Sequence, residues 1–254
     1  MRKLHIKTKG IVLREVNYKE ADKILTVLTE EGKMTVKARG CRRKNSPLAA
    51  AAQLLTYSEM TLFEYRDYLQ MNEAESLEQF WGCKNDVELL ALGSYFAEVT
   101  EAVAEEGRAD EGLLPLLLNS LYALGSLKKD PKLVKAVFEL RLLVLSGYAP
   151  ALDGCCICGK EEPEDGRLVL SDGVLRCAAC REEGETGIAL PISPETRKVM
   201  EYVSECPPKR IFSFTMDEKT MVEMGQLCEA YLMTQLERGF RTLDFYKQLM
   251  DPML

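Results

Sequence analysis

Two Cys-x-x-Cys pairs, Cys155–Cys158 and Cys177–Cys180, stand 18 residues apart and constrain this chain more than any other feature. Each pair can turn two thiolates toward one metal. Two pairs complete a tetrahedral set of four sulfurs, the arrangement of a structural zinc ion. Gly159 follows the first pair directly, and Gly173 sits in the Ser171-Asp172-Gly173 turn before the second. Both suit knuckle and hairpin geometry, because glycine tolerates positive φ. One zinc ion on Cys155, Cys158, Cys177 and Cys180 is therefore expected, in a module over residues 150–190. Four thiolates leave no open position for water, so such a metal would hold structure and not catalyse. Reduced buried cysteines, a vestigial site without metal, and an iron–sulfur cluster remain alternatives. Cys156 could stand in for Cys155 but breaks the spacing. A redox role lacks the thioredoxin-like βαβ context. The cysteine count is nine, and the other five (Cys41, Cys83, Cys156, Cys206, Cys228) are scattered. That is no disulfide framework, and it points to a reducing compartment.

Either side of the module the hydrophobic periodicity differs. Residues 1–80 read as β structure: Ile6–Val16, with Gly10 as a bulge or bend, then Ile24–Thr29, Met34–Arg39, Leu54–Tyr65 and Leu69–Ala74. Glu30–Lys33 and Arg66-Asp67 read as turns. Five short strands in so few residues imply a small barrel. Residues 81–149 read as helical, with helices over Asn85–Glu105 and Glu111–Leu127. The third is the best marked. Asp130 caps it, Pro131 takes its first position, Leu133, Val134, Val137, Leu140 and Val144 make its stripe, and Gly147 stops it. Residues 191–254 return to helical periodicity, interrupted at Pro207-Pro208.

Charge is distributed unevenly over these segments. Residues 1–45 hold 13 Lys/Arg against 5 Asp/Glu, and the remainder holds 20 against 35, for a net −7. A basic face on the N-terminal barrel is the natural reading of that asymmetry. Lys7, Lys9, Arg14, Lys37, Arg39, Arg42, Arg43 and Lys44 are its candidate DNA-binding residues. Such charges take up phosphate backbones by counterion release. Small barrels also bind single strands by adding base stacking. Tyr18, Tyr57, Phe63, Tyr65 and Tyr68 are the aromatics within reach, with Tyr18 best placed in a polar loop. A lysine-rich solvated surface is the competing reading.

Enzyme chemistry has little to work with. His5 is the single histidine, and nothing near it suggests a triad. Gly154–Lys160 formally begins a phosphate-loop pattern, but Glu161 stands where Ser or Thr would hold magnesium. No paired carboxylates stand out, so no catalytic residue is expected. No apolar run approaches the roughly 18 residues of a membrane span. The basic start has no apolar core behind it, so a secretory signal is not expected and the cytoplasm is.

Lys9-Gly10-Ile11-Val12-Leu13, followed by Tyr18-x-Glu20-x-Asp22-Lys23-Ile24-Leu25, resembles the start of the RecO family of bacterial recombination mediators. So do Thr29-x2-Gly32-Lys33 and Ala38-Arg39-Gly40-x-Arg42-Arg43. Further on, Phe138–Leu143 with Gly147-Tyr148-x-Pro150 leads into the first cysteine pair, and Tyr231-Leu232 through Gly239-x-Arg241-Thr242-Leu243 matches the last helices. The resemblance implies an α+β multidomain fold. An OB-fold barrel over 1–80 would precede a helical domain over 81–149 and 191–254, with the zinc module inserted in it. It also implies binding of single- and double-stranded DNA, strand annealing, and RecA loading with RecR on strands coated by single-stranded-DNA-binding protein. None of these breaks a bond, and the setting would be the cytoplasm, at the nucleoid. The acidic C-terminal tail of the single-strand-binding protein would dock on the helical domain. Lys132, Lys135 and Arg141 are candidates for that rim, or else two solvated lysines and a structural arginine. A zinc-stabilised interaction adaptor with incidental DNA affinity is the alternative function. An enzyme carrying a zinc accessory module is a second, and it would need a carboxylate cluster.

Overall fold

The computed structural model describes residues 5–65, 68–109, 111–163, 165–180 and 187–250; the turn expected at Arg66-Asp67 lies outside them. These residues pack as two compact units, 1–127 with 240–254, and 128–239.

In the first unit, strands β1 (His5–Tyr18), β2 (Asp22–Thr29), β3 (Gly32–Ala38), β4 (Tyr57–Tyr65) and β5 (Tyr68–Glu78) close a barrel in the order β1-β2-β3-β5-β4. The strand β1 is long because it serves both neighbours. Its first half pairs with β4 (His5↔Phe63 to Ile11↔Tyr57) and its second with β2, to Tyr18↔Asp22. The expected irregularity in β1 falls between Val12 and Arg14 and not at Gly10. Gly10 is needed for a different reason, since a Cβ there would come within 2.7 Å of the Leu28 carbonyl oxygen and the Val27 side chain. The barrel closes through a short parallel pairing of β3 and β5, Val36↔Leu69 and Lys37↔Gln70.

Alternation fills the interior. Val12, Leu25, Val27, Val36, Met60, Leu62 and Met71 point inward from the strands. The connection from β3 to β4 is more than a basic loop: its turns bring Cys41, Leu48, Ala51 and Ala52 into the same core. This is why β4 starts at Tyr57 and not at Leu54. Leu55 is still in the turn, at φ 54°, where its N–H donates to the Val12 carbonyl.

Helices α1 (Trp81–Lys84), α2 (Val87–Val103) and α3 (Leu113–Gly125) follow the barrel. The side chain of Asp86 caps α2 by accepting the Leu89 N–H. The middle of α2 is packed on several sides: a Cβ at Gly93 would meet Leu55 of the barrel at 2.9 Å and Leu121 of α3 at 3.1 Å. Helix α7 (Arg241–Met250) joins this unit against α2, where Phe240 meets Tyr95 edge-on and Thr242 bonds Glu98.

In the second unit, α4 (Pro131–Leu145) begins at the Asp130 cap and ends before Gly147 at φ 86°. It packs against α5 (Pro194–Glu205) and α6 (Glu218–Gln235). Between α4 and α5 lies a small antiparallel sheet of β6 (Gly166–Val169), β7 (Val174–Cys177) and β8 (Ala189–Pro191), in the order β7-β6-β8. Its hairpin turn lies against α6, and the Tyr231 hydroxyl fills the space that a Cβ on Gly173 would take. Among the described residues no helix is long and apolar enough to cross a membrane.

Candidate functional site

The alternation of β3 turns Val36 and Ala38 inward, leaving Lys37 and Arg39 on the outer surface. There they border a groove of about 920 Å³ between the β1–β2 turn, the start of the β3–β4 connection and the β4–β5 hairpin. Lys19, Lys37, Arg39 and Arg43 supply its cations, Phe63, Tyr65 and Tyr68 its rings, and Glu20 and Asp22 its carboxylates. Tyr18 stands at its edge. The Lys37 ammonium lies 5.0 Å from the centre of the Tyr18 ring and 5.8 Å from that of Tyr68, within cation–π range of both. Tyr65 and Tyr68 meet edge-on at 5.6 Å. Tyr18, Tyr65 and Tyr68 each keep about two-fifths of their surface exposed.

Strand register decides which of the candidate basic residues belong here. Lys37, Arg39 and Arg43 line the groove. Arg42 is beside it, its guanidinium near the Lys19 carbonyl, and Lys44 is exposed on the same connection. Lys7, Lys9 and Arg14 are elsewhere. Lys7 is paired with Glu59 at 2.7 Å, and Lys9 stands opposite Glu59 in the β1–β4 register. Arg14 is bound to Glu101 of α2 at 2.9 Å. Tyr57 is half-buried at the far end of β4, away from the groove. Lys19 and Gln70 were missed by the sequence reading. The adjacency of Lys19 to Tyr18 in a polar turn was the available signal for the first, and Gln70 had none.

The second constellation is the cysteine set. The sulfurs of Cys155, Cys158, Cys177 and Cys180 all lie within 4.8 Å of one another. Cys158 and Cys177 are 3.7 Å apart, and a tetrahedron with 2.3 Å metal–sulfur arms has edges of about 3.8 Å. The first pair is a knuckle: the Cys155 N–H bonds the Lys160 carbonyl, and the Gly159 N–H bonds the Cys155 carbonyl, with Gly159 at φ 72°. These backbone bonds also exclude a phosphate cradle at Gly154–Lys160. Burial alone would push the Cys155 thiol up, but N–H groups of Cys158, Cys177 and Ile157 outweigh it and bring it down to about 6. Burial, then the neighbouring sulfurs, push Cys177 up to about 12; Cys158 and burial push Cys180 to about 11. Four cysteine sulfurs this close together make the donor set of a tetrahedral metal ion, so the residues fit one. Arg197 of α5 clamps the knuckle, donating to the carbonyls of Leu152 (3.2 Å) and Glu161 (2.6 Å).

The three residues considered for a peptide-tail rim separate. Lys132 is exposed on the first turn of α4. Lys135 is buried and bound to Glu139 and Glu229, each at 2.8 Å. Arg141 donates to the carbonyls of Val203 and Ser204 at the end of α5. Neither of the latter two forms a rim. His5 is exposed, with Phe63 across the strand pair.

Two family models match the chain: Recombination protein O N terminal over residues 1–80, and Recombination protein O C terminal over residues 84–244. The chain is similar to the DNA repair protein RecO of Acetivibrio thermocellus, 35% identical over 246 residues, which is 96% of this chain and 97% of that one. It is similar also to the protein of the same name from Caldicellulosiruptor bescii, 32% identical over 95% of this chain and 98% of that one.

Proposed function

Because the chain belongs to the RecO family of DNA repair proteins, we propose that its barrel groove is the seat of DNA binding, and that the protein anneals complementary strands and helps to load RecA, with RecR, onto protein-coated single strands. The role in DNA repair and recombination follows from the family; the groove is what supports the finer reading. Its cations track a phosphate backbone, and its exposed tyrosines offer bases a face to stack on. Charge plus stacking favours single strands, while the cations alone serve duplex DNA. Holding strands against four cations lowers the repulsion between two backbones and raises their encounter rate. No bond is made or broken in this scheme.

The cysteine set is proposed to hold one zinc ion. Bound there, zinc supplies a structural cross-link between the two knuckles. For the acidic tail of single-stranded-DNA-binding protein, Lys132 is the remaining candidate of the three considered, since Lys135 and Arg141 are committed within their own unit.

The test is annealing of complementary oligonucleotides without ATP across a salt titration. The expected result is acceleration that falls steeply with salt. Absence of acceleration by the folded, metal-loaded protein overturns the proposal and leaves the interaction adaptor as the better reading.

A further inference from the structure

Taken as charges alone, the two carboxylates in the groove oppose its use for phosphate. Their surroundings differ. Glu20 is exposed in the β1–β2 turn. Asp22, at the start of β2, keeps only 14% of its side chain exposed and spends both oxygens on the groove itself. Its Oδ1 accepts the Gly40 N–H at 2.8 Å, and its Oδ2 meets the Lys37 ammonium at 3.1 Å.

Gly40 is the hinge of the basic turn. It sits at φ 69°, where glycine is favoured. Its carbonyl accepts the Arg43 N–H, and the Arg43 carbonyl accepts the Ser46 N–H. The Arg42 N–H bonds the Ala21 carbonyl at 3.0 Å, so the same two turns are joined once more beside Asp22. Lys37, 16% exposed, is held by the same carboxylate between the rings of Tyr18 and Tyr68. Burial would push Asp22 up, but the Gly40 N–H, Lys37 and Arg39 outweigh it, so the carboxyl titrates below its ordinary value and is ionised at neutral pH.

We infer that Asp22 is a positioning residue of the groove: its side-chain oxygens, as hydrogen-bond acceptors, fix the turn that carries Arg39 and Arg43 and the ammonium of Lys37, so that removing this acceptor weakens DNA binding. The inference rests on the reading of the groove as a DNA site. Its sign is opposite to that of a plain charge effect, because an untethered turn must be ordered at each binding event.

The experiment measures the anisotropy of a labelled oligothymidylate with full-length protein, together with brief trypsin digestion without DNA. Glu20→Gln removes an exposed carboxylate that holds no group among the described residues and is expected to tighten binding about twofold through charge alone. Asp22→Ala is expected to bind about threefold to tenfold more weakly and to be cut by trypsin after Arg42, Arg43 or Lys44. Asp22→Asn keeps an acceptor for Gly40 and is expected to restore both affinity and protection. Asp22→Ala binding as tightly as the unaltered protein, or more tightly, overturns the inference. So does an Asp22→Asn protein that is as weak and as open as Asp22→Ala. Should Asp22→Ala not fold, Asp22→Asn decides alone, and weaker binding with an opened turn overturns it. A combined Lys37→Ala, Arg39→Ala, Arg43→Ala protein separates the two readings. If its affinity is unchanged, the groove is not the DNA site, while the trypsin result still decides whether Asp22 holds the turn.

Discussion

The ammonium of Lys37 lies 5.0 Å from the centre of the Tyr18 ring, so a strand-borne cation and an exposed aromatic at the end of β1 form a single surface. A base stacked on Tyr18 would place its phosphate beside Lys37. Base–aromatic stacking is worth about 1–3 kcal/mol per base. Tyr18→Leu and Tyr68→Leu are each expected to lower single-strand affinity about tenfold, with a smaller effect on duplex DNA, whose bases are already stacked. Equal losses on both substrates would show that the tyrosines shape the groove and do not stack on bases.

Charge should be read differently from stacking. Removing a cation that neutralises one phosphate of a single strand lowers the slope of log affinity against log salt by roughly 0.7. Arg39→Ala and Arg43→Ala are expected to show that drop, and the two tyrosine variants are not; Lys37→Ala is expected to show less of it, because Asp22 already pairs its ammonium. Lys7→Ala and Arg14→Ala should leave the slope alone, because Glu59 and Glu101 already occupy those charges. A drop for Lys7→Ala equal to that for Arg39→Ala would place the DNA path across β1 and β4.

That contrast also marks where sequence reading stops. Helix α4 is legible from local signals alone, since its cap, its first-turn proline, its stripe and its stop fall within 18 residues. The four cysteines are legible because metal chemistry fixes their spacing. The fate of Lys7 and Arg14 is not, because it is set by partners far along the chain; Glu101 is 87 residues from Arg14. A strand pattern says which residues face outward and not what stands opposite them. The core contribution of Leu48, Ala51 and Ala52 was hidden similarly, because alanines beside a basic tract carry no β or helical period. Gly173 was legible as a turn glycine, but the Tyr231 hydroxyl filling the space beside it was not.

The metal proposal separates Cys155 from its neighbour. Cys156 is exposed, while Cys155 is buried and its sulfur accepts the Cys177 N–H at 3.3 Å. Cys156→Ser is expected to retain one zinc per chain by elemental analysis, and Cys155→Ser or Cys177→Ser to lose it. Protons compete with the metal for thiolates, so zinc should be released as pH falls and taken up again as it rises. Release is measured with a chromogenic chelator. Retention of zinc by Cys155→Ser with loss in Cys156→Ser would reassign the ligand.

Lys135 ties two helices of the second unit together through buried charge. It reaches from α4 to Glu229 of α6 and also holds Glu139, whose side chain is fully buried. Burial would lower the lysine, but the two carboxylates outweigh it and raise it well above its ordinary range. A raised folded-state value means that the lysine's contribution is complete below the unfolded value of about 10.4 and fades only as pH rises through the folded one. Neutral-range titration therefore does not reach it, and substitution does. Lys135→Met takes their cation from the fully buried Glu139 and the partly exposed Glu229, for which about 3–5 kcal/mol of stability is the expected loss. Adding Glu139→Gln removes one of those charges and should recover part of it, measured by urea unfolding of the metal-loaded protein. A loss under about 1 kcal/mol would mean that water reaches the pair and that α4 and α6 are held by their apolar faces alone.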